Sequence, residues 1–210
     1  NPDNPYEGYD QGPLALPGKY QAHLVKVEKG MTEVMTEKIN FELISMNNST
    51  LPTDKKALET FNQDLAEFRR VVLATSEYSG QIKERIKYIK AASLRASVST
   101  GEVTTEVYAL EILRQNIDLA LNGNRSLSRR EFENVPGLLE RVEGMVDNLW
   151  STSAQQTGTY VEKLKETKQV FKKIYADVKL LKQKLELLEK RLENMKAPYT
   201  PGRFPEYDEQ

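Results

Sequence analysis

The feature that most constrains this chain is a pair of apolar seams whose members stand alternately three and four residues apart. The first runs Leu58, Phe61, Leu65, Phe68, Val72, Thr75, Ser79, Ile82, Ile86, Ile89 and Ser93. The second runs Leu164, Thr167, Phe171, Ile174, Val178, Leu181, Leu185, Leu188, Leu192 and Met195. A three-four alternation stays close to the helical repeat, so each seam lies on one side of one helix. The first seam predicts a helix over 54–98, with Pro52 and Thr53 as its start signal and a length of roughly 65 Å. Gly80 interrupts it at a cost of about 1 kcal/mol, yet the spacing keeps register across the glycine. For the second, Thr159-Tyr160-Val161-Glu162 reads as a capping box and Pro198 as the stop.

Between the long helices the signals are shorter. Ser99-Thr100-Gly101-Glu102 is a second capping box. It opens a helix with Val107, Leu110, Leu113, Ile117 and Leu121 inward, closed by Asn122-Gly123-Asn124. A polar connection over 125–134 leads to a third helix near Pro136, with Leu138, Val142, Met145, Leu149 and Trp150 on its apolar face. Ser151 to Gly158 reads as loop. Two long helices with two short ones between them predict an elongated antiparallel bundle of three to four helices, in which the short pair spans the length of one long helix. Phe61, Phe68, Trp150, Phe171, Ile174 and Leu181 are expected in its core. Narrow seams also suit a second arrangement, a free-standing bundle that self-associates as a homodimer by pairing its seams with those of another copy.

Ahead of the first seam the period changes. Residues 1–18 are rich in Pro, Gly and Asp and read as extended or turning chain. Tyr20, Ala22 and Leu24 then alternate with Gln21, His23 and Val25. A turn follows at Glu28-Lys29-Gly30, and Ile39, Phe41 and Leu43 carry period two within the run Met31 to Ser45. This predicts two antiparallel strands, which need further partners because a lone two-stranded pair is marginal in water. The fold class is therefore mainly α: a β segment over 1–48, a helical bundle over 49–197, and a tail over 198–210 rich in Pro and aromatic residues.

Little in the sequence suits catalysis. Cysteine is absent, which removes disulfides and thiolate metal sites. His23 is the one histidine, it sits on a strand, and it reads as a solvent-facing residue. No calcium loop, phosphate-binding glycine loop or nucleophile elbow is present. The 31 acidic residues nearly all fall on polar helix faces, and none pairs off as a hydrolase couple. No catalytic residue, metal or cofactor is expected within the chain. The last helix is locally basic, but its lysines surround the seam and alternate with Glu162, Glu166, Glu186, Glu189 and Glu193. That is the pattern of a solvated helix, and with a net charge of −1 no nucleic-acid partner is expected. No apolar run is long enough for a membrane span. Asn47, Asn48 and Asn124 head glycosylation-type triplets that chance alone often produces. Tyr199, Phe204 and Tyr207, interleaved with prolines, have two readings: a free end, or a strap that docks on this module or a neighbour.

The stretch Gly12-Pro13-Leu14-Ala15-Leu16-Pro17-Gly18-Lys19-Tyr20, followed by a strand and a charged hairpin, resembles a segment near the end of large bacterial proteins built on sortilin-type or BNR-repeat β-propellers, often labelled glycosyl hydrolases. Val135-Pro136-Gly137-Leu138 through Leu149-Trp150-Ser151-Thr152, and Ala197 to Tyr207, fit the same family. The resemblance implies that the strands are the end strands of an immunoglobulin- or fibronectin-like sandwich and that a helical region follows them. It further implies an exported protein (periplasmic, cell-surface or secreted) whose upstream propeller is this module's partner. Any hydrolase carboxylates would lie in that propeller, so none is assigned here. The first residues, Asn1-Pro2-Asp3, show neither an initiating Met nor a signal pattern and read as the middle of a longer chain or a mature product.

Overall fold

A computed structural model of the chain describes residues 12–45, 53–95, 101–130 and 132–203. Its elements are β1 (Gly18–Ala22), β2 (Val25–Glu28), β3 (Met31–Val34), β4 (Ile39–Leu43), α1 (Lys55–Arg95), α2 (Gly101–Asn122), α3 (Arg125–Ser128), α4 (Leu138–Leu149) and α5 (Gly158–Asn194). The fold is mainly α with an N-terminal β-hairpin, as the periodicities predict. The chain divides into two compact units, Asn1–Asp64 with Asp147–Gln156, and Leu65–Val146 with Thr157–Gln210.

In the first unit the two expected strands form one hairpin interrupted at mid-length. Its tip is a tight turn in which Lys29 and Gly30 both take positive φ, 51° and 77°, the geometry that matches strand twist. β2 pairs with β3 so that Val25 faces Val34, and β1 pairs with β4 so that Tyr20 faces Phe41. Between these ladders His23 and Leu24 oppose the longer segment Met35 to Lys38, which shifts the register by two residues. The alternation expected to run unbroken through Val25 therefore stops at Ala22. Polar Thr36, Glu37 and Lys38 continue no apolar face; Thr36 instead turns its hydroxyl to accept from the Leu24 N–H at 3.0 Å.

The same unit holds the start of α1, which Asp54 caps rather than Thr53. The Asp54 carboxylate accepts from the N–H groups of Lys56 and Ala57 at 3.0 Å each. Leu58, Phe61, Leu149 and Trp150 are buried there.

The second unit is a bundle of three arms. Every member of the first seam from Leu65 to Ser93, and of the second from Leu164 to Leu192, is buried; α1 runs unbroken through Gly80. Phe68 meets Phe171 edge-on at 5.5 Å, and Arg85 meets Glu189 further along both helices in the same sense, so α1 and α5 run parallel. The return arm lies antiparallel to both, with Lys90–Glu111 and then Arg69–Glu143 joining it to α1. It is made of α2 and α4 in succession. The second arrangement, pairing of long-helix seams between copies, is excluded while this fold stands, because both seams are already buried within the chain.

The junction in the return arm is backbone against backbone. Gly123 closes α2 with φ 68°, its N–H donating to the Leu119 carbonyl at 2.9 Å. A Cβ on Gly137 would lie 2.5 Å from the Gly123 nitrogen and 2.6 Å from the Leu121 carbonyl oxygen, so only glycine fits there. The polar connection over 125–134 carries the one-turn helix α3, capped by Asn124, whose side-chain oxygen accepts from Ser126 and Leu127. The same contact occupies the side chain of the Asn124 triplet.

Two boundaries depart from expectation. α5 begins at Gly158 with Thr157 as N-cap, so the Thr159 box lies inside the helix. α5 ends before Pro198: Lys196 takes φ 51°, its N–H reaches the Glu193 carbonyl, and the Ala197 N–H reaches Leu192, a Schellman closure.

Two substitutions check this packing by thermal and denaturant unfolding. Phe171→Ala removes one ring of an edge-to-face pair and is expected to cost about 3–5 kcal/mol. Gly80→Ala places a methyl group where nothing lies within 4 Å and is expected to stabilise by roughly 0.5–1 kcal/mol.

Candidate functional site

The most elaborated polar arrangement in the second unit gathers where the chain leaves α5. Glu189 sits beside Leu188 in the seam, and its side chain is only 8% exposed. Arg85, one residue before Ile86 on α1, covers it: Nε donates to Oε1 at 2.9 Å and Nη2 to Oε2 at 2.5 Å. Burial alone would pull the Arg85 guanidinium down, but the hydrogen bond and charge of Glu189 outweigh it and hold the pKa above the ordinary arginine value.

The chain after α5 folds back onto this pair. Pro201 and Gly202 form a tight turn in which the Arg203 N–H donates to the Thr200 carbonyl at 3.2 Å. Gly202 takes φ 100° and lies against Arg85, where a Cβ would come within 2.8 Å of Nε. The Arg203 side chain is 4% exposed. Its Nη2 donates to the carbonyls of Ala197 and Pro198, and its Nη1 lies 3.2 Å from a Glu193 oxygen. Thr200 is buried as well. Two guanidiniums and two carboxylates thus join α1, α5 and the strap, with Glu186, Lys190 and Asn194 along the open side.

Of the residues expected to anchor the strap, Tyr199 points outward at 66% exposure, and Phe204 and Tyr207 lie outside the described residues. The residues that hold the strap are Thr200, Gly202 and Arg203, which aromatic content does not reveal. Their signal was Pro-Gly before an arginine, with Glu189 and Glu193 one helical turn apart. The reading of Glu189 as a solvated acid is corrected, since it stands on the seam side of α5.

In the first unit the hairpin presents a second candidate surface. One face of the β1–β4 ladder carries Tyr20 stacked on Phe41 at 5.8 Å, with Ala22 opposite Ile39; the other carries Lys19 opposite Glu42 and a Gln21–Asn40 hydrogen bond. Phe41, Ile39 and Leu43 are nonetheless exposed, as are Val25, Val27 and Val34. His23 is exposed between β1 and β2.

Among the described residues no group of three or more His, Asp or Glu is placed to hold a metal ion, and no helix is long and apolar enough to cross a membrane. The lysines of α5 meet nearby partners in part: Lys165 pairs with Glu162, Lys182 with Glu186, and Lys179 lies over the Tyr175 ring. Set against protein-family models, curated proteins and solved structures, the chain matches none.

Arg85→Ala leaves Glu189 buried without its partner. It is expected to lower unfolding free energy on the order of 2–3 kcal/mol, below the range for a fully enclosed pair because Arg85 keeps 22% exposure. Replacing both by Met is expected to restore most of that loss. Equal melting of Arg85→Ala and the parent chain would show that the cluster bears no load.

Proposed function

We propose that this chain is a non-catalytic accessory module at the C-terminal end of a larger exported bacterial β-propeller protein of the sortilin or BNR-repeat kind. In this reading the hairpin adds its strands to an immunoglobulin-like sandwich, and the helical bundle braces or presents the propeller. The observation that carries it is the hairpin's one-sided chemistry. An alternating strand pair with a full apolar face specifies burial of that face, and a lone hairpin gains too little to stand in water. Exposed apolar surface of this kind marks an interaction site. The Gly-Pro-x-Ala-x-Pro-Gly-x-Tyr stretch leading into β1 supports the same partner, and glycosidic chemistry, if the parent performs it, belongs to the propeller.

The test is calorimetric titration of the module with the separately expressed upstream portion of its parent. Binding is expected, and Ile39→Lys combined with Phe41→Lys is expected to abolish it while far-UV helicity is unchanged. Binding that survives those changes, or a module that alone turns over glycans at an ordinary enzymatic rate, would overturn the reading.

A further inference from the structure

Beside its seam, on the shoulder that faces α1, α5 carries a second three-four line: Lys165, Lys168, Lys172, Tyr175, Lys179 and Lys182. The line continues at Glu186, Glu189 and Glu193, where its charge reverses. Its facing is fixed at two levels, since Lys168 lies over the Phe68 ring of α1 at 5.7 Å and Glu189 accepts from Arg85. In sequence these lysines stand among others that surround the seam, and the position of α1 sorts them.

The acidic stretch is answered inside the chain, by Arg85 on α1 and Arg203 on the strap. The basic stretch is not. Within the second unit, Glu67 on α1 is held bidentately by its neighbour Arg70. Val71, Ala74, Tyr78 and Gln81, which follow it toward Arg85, carry no charge. At the ends of the row Lys165 meets Glu162 at 3.3 Å and Lys182 meets Glu186 at 3.7 Å, exposed pairs that hold their partners weakly. Lys172 has no ion-pair partner among the described residues, and Lys179 lies over the Tyr175 ring at 4.6 Å. Over 163–184 as a whole, eight lysines stand against two acids, Glu166 and Asp177, neither of them on this line. The outcome is a straight basic row about 25 Å long.

We infer that this row binds a linear acidic polysaccharide, a chain of sulfated or uronate sugars laid lengthwise along α5. Charge complementarity supplies the attraction, with neighbouring lysines one turn apart, roughly 5–6 Å. Exposed Gln169 and Gln183, one turn from Lys165 and Lys179, offer amide donors and acceptors to sugar hydroxyls. Other polyanions find less here. Single-stranded nucleic acid stacks its bases on open aromatic faces, but the Tyr175 ring has Lys179 over it and Phe171 beside it at 5.6 Å. The row also lacks arginine, the residue that reads base edges bidentately. A membrane surface takes in apolar side chains beside the lysines, and an acidic peptide seats its own apolar side chains in its partner. To both the row offers only the covered ring of Tyr175. The row belongs to the bundle, so the inference is independent of the hairpin's role.

Calorimetric titration of the full chain with a heparin oligosaccharide and with an oligogalacturonate, at about 0.15 M salt, tests it. Binding to at least one of them, weakening as salt is raised, is expected. Lys172→Glu combined with Lys179→Glu is expected to lower the affinity about tenfold or more with unchanged far-UV helicity. Lys163→Glu combined with Lys184→Glu makes the same change in net charge on the α2 side of the helix, where Lys184 lines the groove with α2. A helix diameter separates that side from the row, beyond the screening length of roughly 8 Å, so affinity is expected to stay within about twofold. Failure to bind either oligosaccharide, or equal losses from the two pairs of substitutions, overturns the proposal. Oligothymidylate, polyglutamate or phosphatidylglycerol vesicles bound as tightly under the same conditions overturn the assignment to a polysaccharide.

Discussion

In this chain the seams of the two long helices are hidden together, along a third rod that lies beside both. The chain builds that rod from two pieces, α2 and α4, and the contact that permits it is glycine against glycine. At Gly123 and Gly137 the backbone of one helix end lies where a side chain would otherwise stand. A methyl group there would drive the pieces apart, and the apolar faces of α2 and α4 would no longer fall in line with the seams of α1 and α5. The aligned core, the parallel course of the long helices and the placing of Arg85 over Glu189 all follow from that junction.

The seams were legible because they are dense and regular, and every member from Leu58 to Ser93 and from Leu164 to Leu192 is buried. Thr75, Ser79 and Thr167 belong to them by position alone, which polarity would have disguised. The Lys29–Gly30 turn was legible for a similar reason, since few residue pairs suit two positive φ values. What escaped was set by tertiary contact. The helix end at Asn194 depends on a left-handed lysine, not on the proline that follows. The shift of register at His23–Leu24 depends on the lengths of both arms together. The strap was read through its aromatics because these are conspicuous, whereas the seat is made by an arginine whose partners come from a distant helix and from its own backbone.

The polar cluster and the hairpin pose opposite physical problems. Around Glu189 the charges are matched and largely removed from water, so the arrangement gives position more than reactivity. Around Phe41 an apolar face is formed and left exposed, on a pair of strands that is marginal in water by itself. The first feature settles where the end of α5 and the strap must go. The second leaves an apolar face exposed, and the proposed function rests on it.

The parallel course of α1 and α5 also governs how the chain reaches this structure. Bundles of sequential helical hairpins need only short-range encounters and fold quickly. Here α2 meets α1 locally, but the bond between Arg85 and Glu189 spans 104 residues. The chain entropy of closing so large a loop grows only slowly with its length, about 0.6 kcal/mol for each doubling. Closure nevertheless gains nothing until the return arm is straight enough to receive both seams. One order in assembly is therefore fixed: the strap locks last, because its seat, built from Arg85 on one helix and Glu189 and Glu193 on the other, does not exist until α1 and α5 lie side by side.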